Sequence, residues 1–216
     1  MRVVAIDGPA GAGKSTIAKA LALRLGVPYL DTGAMYRAVT YAVLRDKLDP
    51  SEHAAVGRLA QTMVLTMADG RVVVDGVDVT DTIRGPEVTS AVSIVAAISE
   101  VRQVLREQQR DWVRQHGGGV VEGRDIGTVV FPDATLKVYL TASPEVRAQR
   151  RVAEAGGDVA AIANSIAERD RLDSTRADSP LYAAADSAWV DTSDLDIDQV
   201  VSVLYEKTVT LEKSNG

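Results

Sequence analysis

The run Gly8-Pro9-Ala10-Gly11-Ala12-Gly13-Lys14-Ser15 restricts what this chain can fold into more than any other segment does. It matches the pattern G-x-x-x-x-G-K-[ST], in which small residues let backbone N–H groups converge on phosphate oxygens at a helix N-terminus. A short β-branched run at residues 2–7 precedes it, and residues 14–25 carry apolar side chains at helical spacing. Strand, glycine loop and helix therefore follow in order, which is the context that this motif requires.

The motif predicts a site for the phosphates of a nucleoside triphosphate between Gly8 and Thr16. Lys14 supplies a point charge for the phosphates, and Ser15 supplies a hydroxyl oxygen for Mg²⁺. Kinases and regulatory GTPases both use such a site. A GTPase also needs Asn-Lys-x-Asp and Asp-x-x-Gly motifs, and the sequence contains neither. A phosphoryl-transferring enzyme is therefore favoured over a GTPase-type switch.

Length and composition narrow the class of protein further. At 216 residues, with 46% hydrophobic and 25% charged residues, the chain can form one globular core with an inserted subdomain. It has no cysteine and two histidines, which excludes disulfides, thiolate catalysis and a cysteine zinc site. A net charge of −6 and the lack of a long apolar stretch disfavour nucleic-acid and membrane partners. We expect a cytoplasmic monomer that binds neither nucleic acid nor a membrane.

Short apolar strands alternate with amphipathic helices along most of the chain. Two Asp-Gly pairs, at 69–70 and 75–76, predict the turns of a small antiparallel insert at about residues 60–95. The alternation on both sides of it predicts an α/β fold, a P-loop NTPase core with a central parallel sheet flanked by helices. The expected strands are 28–30, 120–121, 136–140 and 188–191, and the expected helices are 34–44 (capped by Asp31 or Thr32), 100–115 (ended by glycines 117–119), 161–173, 197–209 and one starting at Pro144.

Five arginines lie in segments that this fold could bring to one side: Arg37, Arg102, Arg124, Arg169 and Arg176. A phosphate monoester is already an anionic nucleophile at neutral pH, so it needs charge neutralisation and alignment more than a general base. A hydroxyl acceptor would favour an aspartate base, and the His-Arg-Asp signature of protein kinases is absent. The arginines therefore favour a phosphate acceptor, although any one of them alone could equally be solvated or paired with a carboxylate.

Three local patterns strengthen this interpretation. In residues 31–37, a hydroxyl and backbone amides open a helix and Arg37 lies about one turn inside it, which predicts a second anion site. Residues 122–127 follow a strand, and open α/β sheets bind ligands beyond the carboxyl ends of their strands. In residues 168–176, Asp173 shares a helix face with Arg169 and Arg176 and could brace both, although a solvated ion-pair helix has the same spacing.

Together these segments resemble the bacterial cytidylate kinases, a family of nucleoside-monophosphate kinases. The matching stretches are Ile6–Ser15, Leu30–Arg37, Val121–Asp133 and Glu168–Arg176. The resemblance implies transfer of the γ-phosphoryl group of ATP, with Mg²⁺, to CMP or dCMP. It also implies one kinase domain over residues 1–216, with a CMP-binding insert at about 32–95 and a lid at about 147–160. A kinase of UMP or of a small metabolite is the open alternative.

The resemblance further implies roles for individual residues. Those expected to hold the acceptor phosphate are Thr32, Tyr36, Arg37 and Arg124. Those expected to read the cytosine edge are Ser93, Arg102 and Asp125, and those expected beside the ribose are Arg169, Asp173 and Arg176. Arg147, Arg150 and Arg151 would form the lid over the triphosphate. Lys14, Arg37, Arg124 and Arg169 would be catalytic. Asp125 suits cytosine because it can accept a hydrogen bond from the N4 amine, whereas uracil offers an acceptor there.

Overall fold

The computed structural model describes residues 1–68 and 70–215, and it divides into two compact units. The first comprises Met1–Leu30 and the described residues from Trp112 onward, and the second comprises the described residues of Asp31–Asp111. Strands and helices are numbered here in chain order.

The first unit is built on a five-stranded sheet. Its strands are β1 (Arg2–Asp7), β2 (Tyr29–Asp31), β6 (Gly118–Gly123), β7 (Leu136–Thr141) and β8 (Ala188–Asp191), in the order β2-β6-β1-β7-β8. Strand β1 pairs in parallel with β6 on one side and with β7 on the other, and β7 pairs in parallel with β8. Every residue of β6 is buried, as expected for a central strand covered on both faces. The predicted parallel sheet is confirmed.

The first unit also contains the helices α1 (Lys14–Leu25), α6 (Pro144–Ala155), α7 (Val159–Thr175) and α8 (Ile197–Asn215). One core cluster joins Val4 and Ile6 of β1 to Leu21 of α1 and Leu204 of α8. Helix α6 starts as predicted, with Pro144 at its first position and the Ser143 hydroxyl accepting a hydrogen bond from the Val146 N–H. The core cluster holds α1 against β1, directly after the loop that joins them.

The glycines at 117–119 correct one sequence prediction. Only Gly117, with φ of 72°, follows the helix that ends at His116, while Gly118 and Gly119 already belong to β6. A Cβ on Gly118 would lie 2.3 Å from the carbonyl oxygen of Arg2 in the neighbouring strand. Glycine is therefore needed here for close strand packing, which a sequence alone does not distinguish from a helix stop.

The second unit contains a small antiparallel sheet with the order β3-β4-β5, formed by Leu65–Ala68, Arg71–Val74 and Val77–Asp78. Asp75 and Gly76 link the last two strands with φ of 50° and 82°, the two positive angles of a type I′ turn. That predicted turn is confirmed, whereas Asp69 of the other predicted Asp-Gly turn lies outside the described residues. Helices α2 (Thr32–Arg45), α3 (His53–Thr62) and α4 (Pro86–Ala96) and a 3-10 turn (Thr82–Arg84) lie in the same unit, and α5 (Ser99–His116) begins in it.

The antiparallel part is shorter than the predicted 60–95. Residues 60–62 end α3, and Pro86–Ala96 form helix α4. Helix α4 is signalled by Pro86 at its first position and by the buried series Val88, Val92 and Val95, but the neighbouring hairpin pattern obscured these signals.

Within the described residues, no helix is by itself long and apolar enough to cross a membrane. Helices α4 and α5 meet that criterion only when joined, and they bend by 98° at the break between them.

Gly117, just before β6, and Gly118, its first residue, provide a paired test of the sheet. Gly117→Ala should lower the free energy of unfolding by about 1–2 kcal/mol, because a Cβ is disfavoured at this positive φ but meets nothing within 4 Å. Gly118→Ala should lower it by about 3 kcal/mol or more, because φ of 138° is disfavoured for alanine and the neighbouring strand must also move. Urea denaturation of both variants measures the difference. Equal losses would contradict the close approach of β6 to β1.

Candidate active site

The loop between β1 and α1 has the backbone that its glycines allow. Gly8, Gly11 and Gly13 have φ of 147°, 76° and 82°, and a Cβ on Gly8 would lie 2.0 Å from the carbonyl oxygen of Leu140. Helix α1 begins at Lys14, and the Gly13 position provides no side chain to cap it. The backbone N–H groups of its first turn and the helix dipole therefore favour an anion at this end.

Lys14 lies in this loop with its ammonium group turned inward. The side chain is buried, and Nζ donates a hydrogen bond to the carbonyl oxygen of Pro9 at 2.7 Å. Burial, followed by the positive charge of Arg124, lowers the pKa of Lys14 to about 7, while Glu122 opposes the decrease. A phosphate bound beside Lys14 would favour its charged form.

Asp7 ends β1 and holds the segment that follows β6. Its two carboxylate oxygens accept hydrogen bonds from the N–H groups of Ile126 and Gly127, both at 2.8 Å. These residues begin a π-helical turn, Ile126–Val130. Burial raises the pKa of Asp7 to about 6, although the two backbone hydrogen bonds oppose it. Asp7 therefore fixes the backbone just after Arg124 and Asp125. This role of Asp7 was not predicted from the sequence.

Arg124, at the carboxyl end of β6, pairs with Asp173 of α7. Arg124 Nε lies 2.9 Å from Asp173 Oδ2, and the exposed fractions of the two side chains are 16% and 7%. Burial alone would lower the pKa of Arg124, but the charge of Asp173 and its hydrogen bond raise it. Conversely, burial would raise the pKa of Asp173, but the charges of Arg124 and Arg169 lower it. Both groups are therefore charged.

Arg176 extends this charged network to Asp125. Its guanidinium lies 3.5 Å from Asp125 Oδ1 and 3.8 Å from Asp173 Oδ1, and all three side chains are buried. Helix α7 ends at Thr175, so Arg176 occupies its C-cap position rather than the helix face assumed from spacing. Asp173 does contact Arg176, and it also pairs with Arg124.

Buried Glu122 adds a negative group to the same region. It lies one residue before the end of β6 and accepts a hydrogen bond from the Tyr29 hydroxyl. Its charge raises the pKa of Lys14 and of Arg124. The residue belongs to the segment 122–127 that the sequence singled out, but its position as a counter-charge could not be predicted from the pattern.

The three candidate lid arginines differ in their surroundings. Arg147 is buried and donates a hydrogen bond to the carbonyl oxygen of Ala10 at 3.0 Å. Arg150 donates to the Thr192 carbonyl oxygen at 2.6 Å, and its Nη1 would lie 3.5 Å from a Cβ on Gly13. Arg151 pairs with exposed Glu154 at 3.0 Å. Arg147 and Arg150 thus lie against the loop of residues 8–15.

The second unit contains the other predicted binding residues. Asp31, not Thr32, caps α2 by accepting a hydrogen bond from the Ala34 N–H at 2.9 Å, and Thr32 is buried in the first turn. Buried Arg37, one turn further, donates to the Ile83 carbonyl oxygen at 3.0 Å and to the Thr89 hydroxyl at 2.8 Å. Helix and arginine have the positions that the pattern predicted.

Arg102 and Ser93 lie on the two helices that follow the small sheet. Ser93 is half-buried on α4, and Arg102 on α5 is 1% exposed. The guanidinium of Arg102 lies 5.4 Å from the ring centroid of Tyr36 and donates a hydrogen bond to the Ala96 carbonyl oxygen. Arg102 is therefore held next to a second predicted binding residue, Tyr36.

Comparisons with known proteins identify the family. Residues 4–210 match the family model described as cytidylate kinase. This chain belongs to the cytidylate kinase family. The cytidylate kinase of Mycobacterium avium (strain 104) is 52% identical over 213 residues, which cover 94% of this chain and 93% of that protein. A bifunctional pantoate ligase/cytidylate kinase of Synechococcus sp. (strain WH7803) is 52% identical over 215 residues, which cover 94% of this chain but 44% of that longer protein.

The resemblance stated from the sequence is thus confirmed, and a solved structure supports the fold. The crystal structure of a gluconokinase from Sinorhizobium meliloti 1021 has a TM-score of 0.52 to this chain, with 14% identity and coverage of 99% of this chain and 94% of that one. At that identity only the architecture is shared. The P-loop α/β fold of this member of the cytidylate kinase family agrees with the prediction.

The raised pKa of Asp7 predicts a pH dependence of stability. The folded protein keeps the Asp7 proton up to about pH 6, whereas the ordinary pKa is 3.8, so the folded state binds more protons between these values. Stability contributed by Asp7 is therefore present below pH 4 and lost as the pH rises through 6. The two pKa values differ by about 2 units, and each unit corresponds to about 1.4 kcal/mol, so the loss is about 3 kcal/mol.

Urea denaturation of the wild type and of Asp7→Asn between pH 4 and pH 7 measures this effect. Relative to the variant, the wild type should lose stability up to about pH 6 and then remain constant. A difference that is independent of pH would contradict the burial of the Asp7 carboxyl.

Proposed function

We propose that this chain transfers the γ-phosphoryl group of ATP to CMP or dCMP, which gives ADP and CDP or dCDP. The proposal rests mainly on membership of the cytidylate kinase family over residues 4–210. The buried charges beside the P-loop support it, because Arg124 and Lys14 form the kind of cationic site that two phosphate groups require.

The donor nucleotide would be bound by the loop from Gly8 to Thr16. Backbone N–H groups at the start of α1 would bind its phosphates, and Lys14 would neutralise charge that develops on the transferred group. Arg147 and Arg150 would approach the triphosphate from α6, and Arg151 would need to leave Glu154 to do so. Residues 147–160 remain a proposed lid, whose closure would exclude water and so limit hydrolysis of ATP.

Ser15 fits the proposed Mg²⁺ site. Its side chain is exposed in the first turn of α1, and the described part of the chain contains no cluster of three carboxylate or histidine side chains for a metal. A single hydroxyl suits Mg²⁺, which usually keeps several waters and binds through substrate phosphates. The ion would supply charge neutralisation at the donor phosphates.

We also propose residues that bind the acceptor nucleotide. For the phosphate we propose Thr32, Tyr36, Arg37 and Arg124; for the base, Ser93, Arg102 and Asp125; for the ribose, Arg169, Asp173 and Arg176. The catalytic set would be Lys14, Arg37, Arg124 and Arg169. The CMP-binding assignment of residues 32–95, the cytoplasmic location and the monomeric state remain predictions.

A coupled assay of ADP release with a panel of acceptors tests the reaction. CMP and dCMP should raise the rate of ADP release far above the rate with ATP alone, and UMP should be a poorer acceptor. A steady ATP hydrolysis that CMP leaves unchanged would contradict the proposal. A higher rate with UMP or with a small metabolite such as gluconate would favour the alternative kinases.

Arg124→Ala should lower kcat/KM for CMP by about 10–100-fold, because a charge-assisted hydrogen bond contributes about 1.5–3 kcal/mol. Arg171→Ala is the matched control, since Arg171 lies on the exposed side of α7 and pairs only locally with Glu168 in the described structure. Its kcat/KM should stay within about twofold of the wild type. An unchanged value for Arg124→Ala would assign Arg124 to structure instead of substrate binding.

Asp125→Asn should narrow the preference for CMP over UMP, because an amide can donate a hydrogen bond as well as accept one. The measurement is the ratio of kcat/KM for the two nucleotides. If the variant keeps the wild-type ratio, Asp125 does not read the N4 amine of cytosine.

A further inference from the structure

Two side chains hold the peptide of Ala10, in the middle of the loop that follows β1. The Ala10 N–H donates a hydrogen bond to Asp170 Oδ1 at 3.0 Å, and the Ala10 carbonyl oxygen accepts one from Arg147 Nη1 at 3.0 Å. The same Arg147 Nη1 pairs with Asp170 Oδ2. Loop, α6 and α7 are therefore joined by three contacts that share one carboxylate and one guanidinium.

This arrangement is largely screened from solvent. The side chains of Arg147 and Asp170 are 10% and 17% exposed. Helix α6 also packs directly on the loop, since a Cβ on Gly11 would lie 3.0 Å from Arg147 Cβ. A buried, hydrogen-bonded ion pair constrains its neighbours far more than an exposed pair does. Asp170 thus fixes one side of the loop before any nucleotide arrives.

Helix α7 carries two carboxylates with separate partners. Asp170 contacts the loop of residues 8–15, and Asp173, three positions later, contacts Arg124 at the end of β6. Residues three apart lie on the same side of a helix. One helix therefore braces both the proposed donor loop and the proposed acceptor arginine.

We propose that Asp170 is a positioning residue for the donor nucleotide. It acts through the Ala10 peptide and Arg147 and keeps the loop in its phosphate-binding conformation. ATP binding then has a smaller entropy cost, because the loop is already ordered. This inference rests on the proposed function, because it assumes that ATP binds to this loop. The sequence pattern assigned roles to Arg169 and Asp173 on either side of Asp170 but none to Asp170 itself.

Three variants separate positioning from general stability. Asp170→Ala removes both contacts, whereas Asp170→Asn keeps an oxygen for the Ala10 N–H and removes the charge opposite Arg147. Glu168→Ala is the matched control on the same helix, because Glu168 is exposed and pairs locally with Arg171. If Asp170→Ala does not fold, Asp170→Asn decides the question alone.

Steady-state kinetics should show a selective effect on the donor. KM for ATP should rise by about tenfold in Asp170→Ala and by about threefold in Asp170→Asn, while KM for CMP stays within about twofold. Glu168→Ala should change neither. Equal increases in both KM values, or an unchanged KM for ATP, would overturn the proposal, since a merely structural residue would not discriminate between the substrates.

Calorimetric titration with ADP tests Asp170 without the acceptor reaction. ADP affinity should be lower in Asp170→Asn than in the wild type, and lowest in Asp170→Ala. The loss of affinity caused by Asp170→Ala should be smaller in a protein that already carries Arg147→Ala, because the two side chains act together. Additive losses would overturn the action through Arg147. A wild type that binds ADP but does not phosphorylate CMP would contradict the proposed function, and the ADP affinities would still decide the role of Asp170.

Discussion

Positive charge is buried beside the loop of residues 8–15, and the remaining features of the site follow from the need to compensate it. The charge of Arg124 helps to lower the pKa of Lys14, and isolated charges of this kind would be too unfavourable to bury. The chain provides carboxylates for them: Asp173 for Arg124, and Glu122 near both. Burial is the main cause of the lowered pKa of Lys14, and the charge of Arg124 lowers it further. A phosphate bound beside Lys14 would favour the charged form of this side chain.

The parallel sheet makes this concentration of charge possible. Strands β1 and β6 lie side by side, with Asp7 opposite Gly123 in the pairing register, so their carboxyl ends present the loop after β1 and the Arg124 segment at one edge. Asp7 joins these two segments directly through the N–H groups of Ile126 and Gly127. Helix α7 then adds Asp170 and Asp173 from outside the sheet. Each charged side chain is thus positioned by backbone that is itself fixed by hydrogen bonds.

Local patterns in the sequence predicted the features that depend on local chemistry. The strand, glycine loop and helix at residues 2–25 and the Asp75-Gly76 turn follow from short-range preferences, and the structure confirms them. Of the two caps that the sequence left open for α2, Asp31 or Thr32, the structure has Asp31. The role of Gly118 could not be predicted, because it depends on a carbonyl oxygen of Arg2, more than a hundred residues away. Asp7 and Asp170 were missed for the same reason: they lie inside segments that the sequence singled out, but their partners lie far away in sequence.

A crystal structure with CMP, Mg²⁺ and a non-hydrolysable ATP analogue tests the central claim most directly, namely that the compensated cationic site binds two nucleotides. The analogue's phosphates should lie along the backbone of residues 11–15, and the CMP phosphate should lie within hydrogen-bonding distance of Arg124, opposite Lys14. The account would be contradicted if CMP bound with its phosphate away from Arg124, or if it occupied the loop of residues 8–15 in place of the ATP analogue.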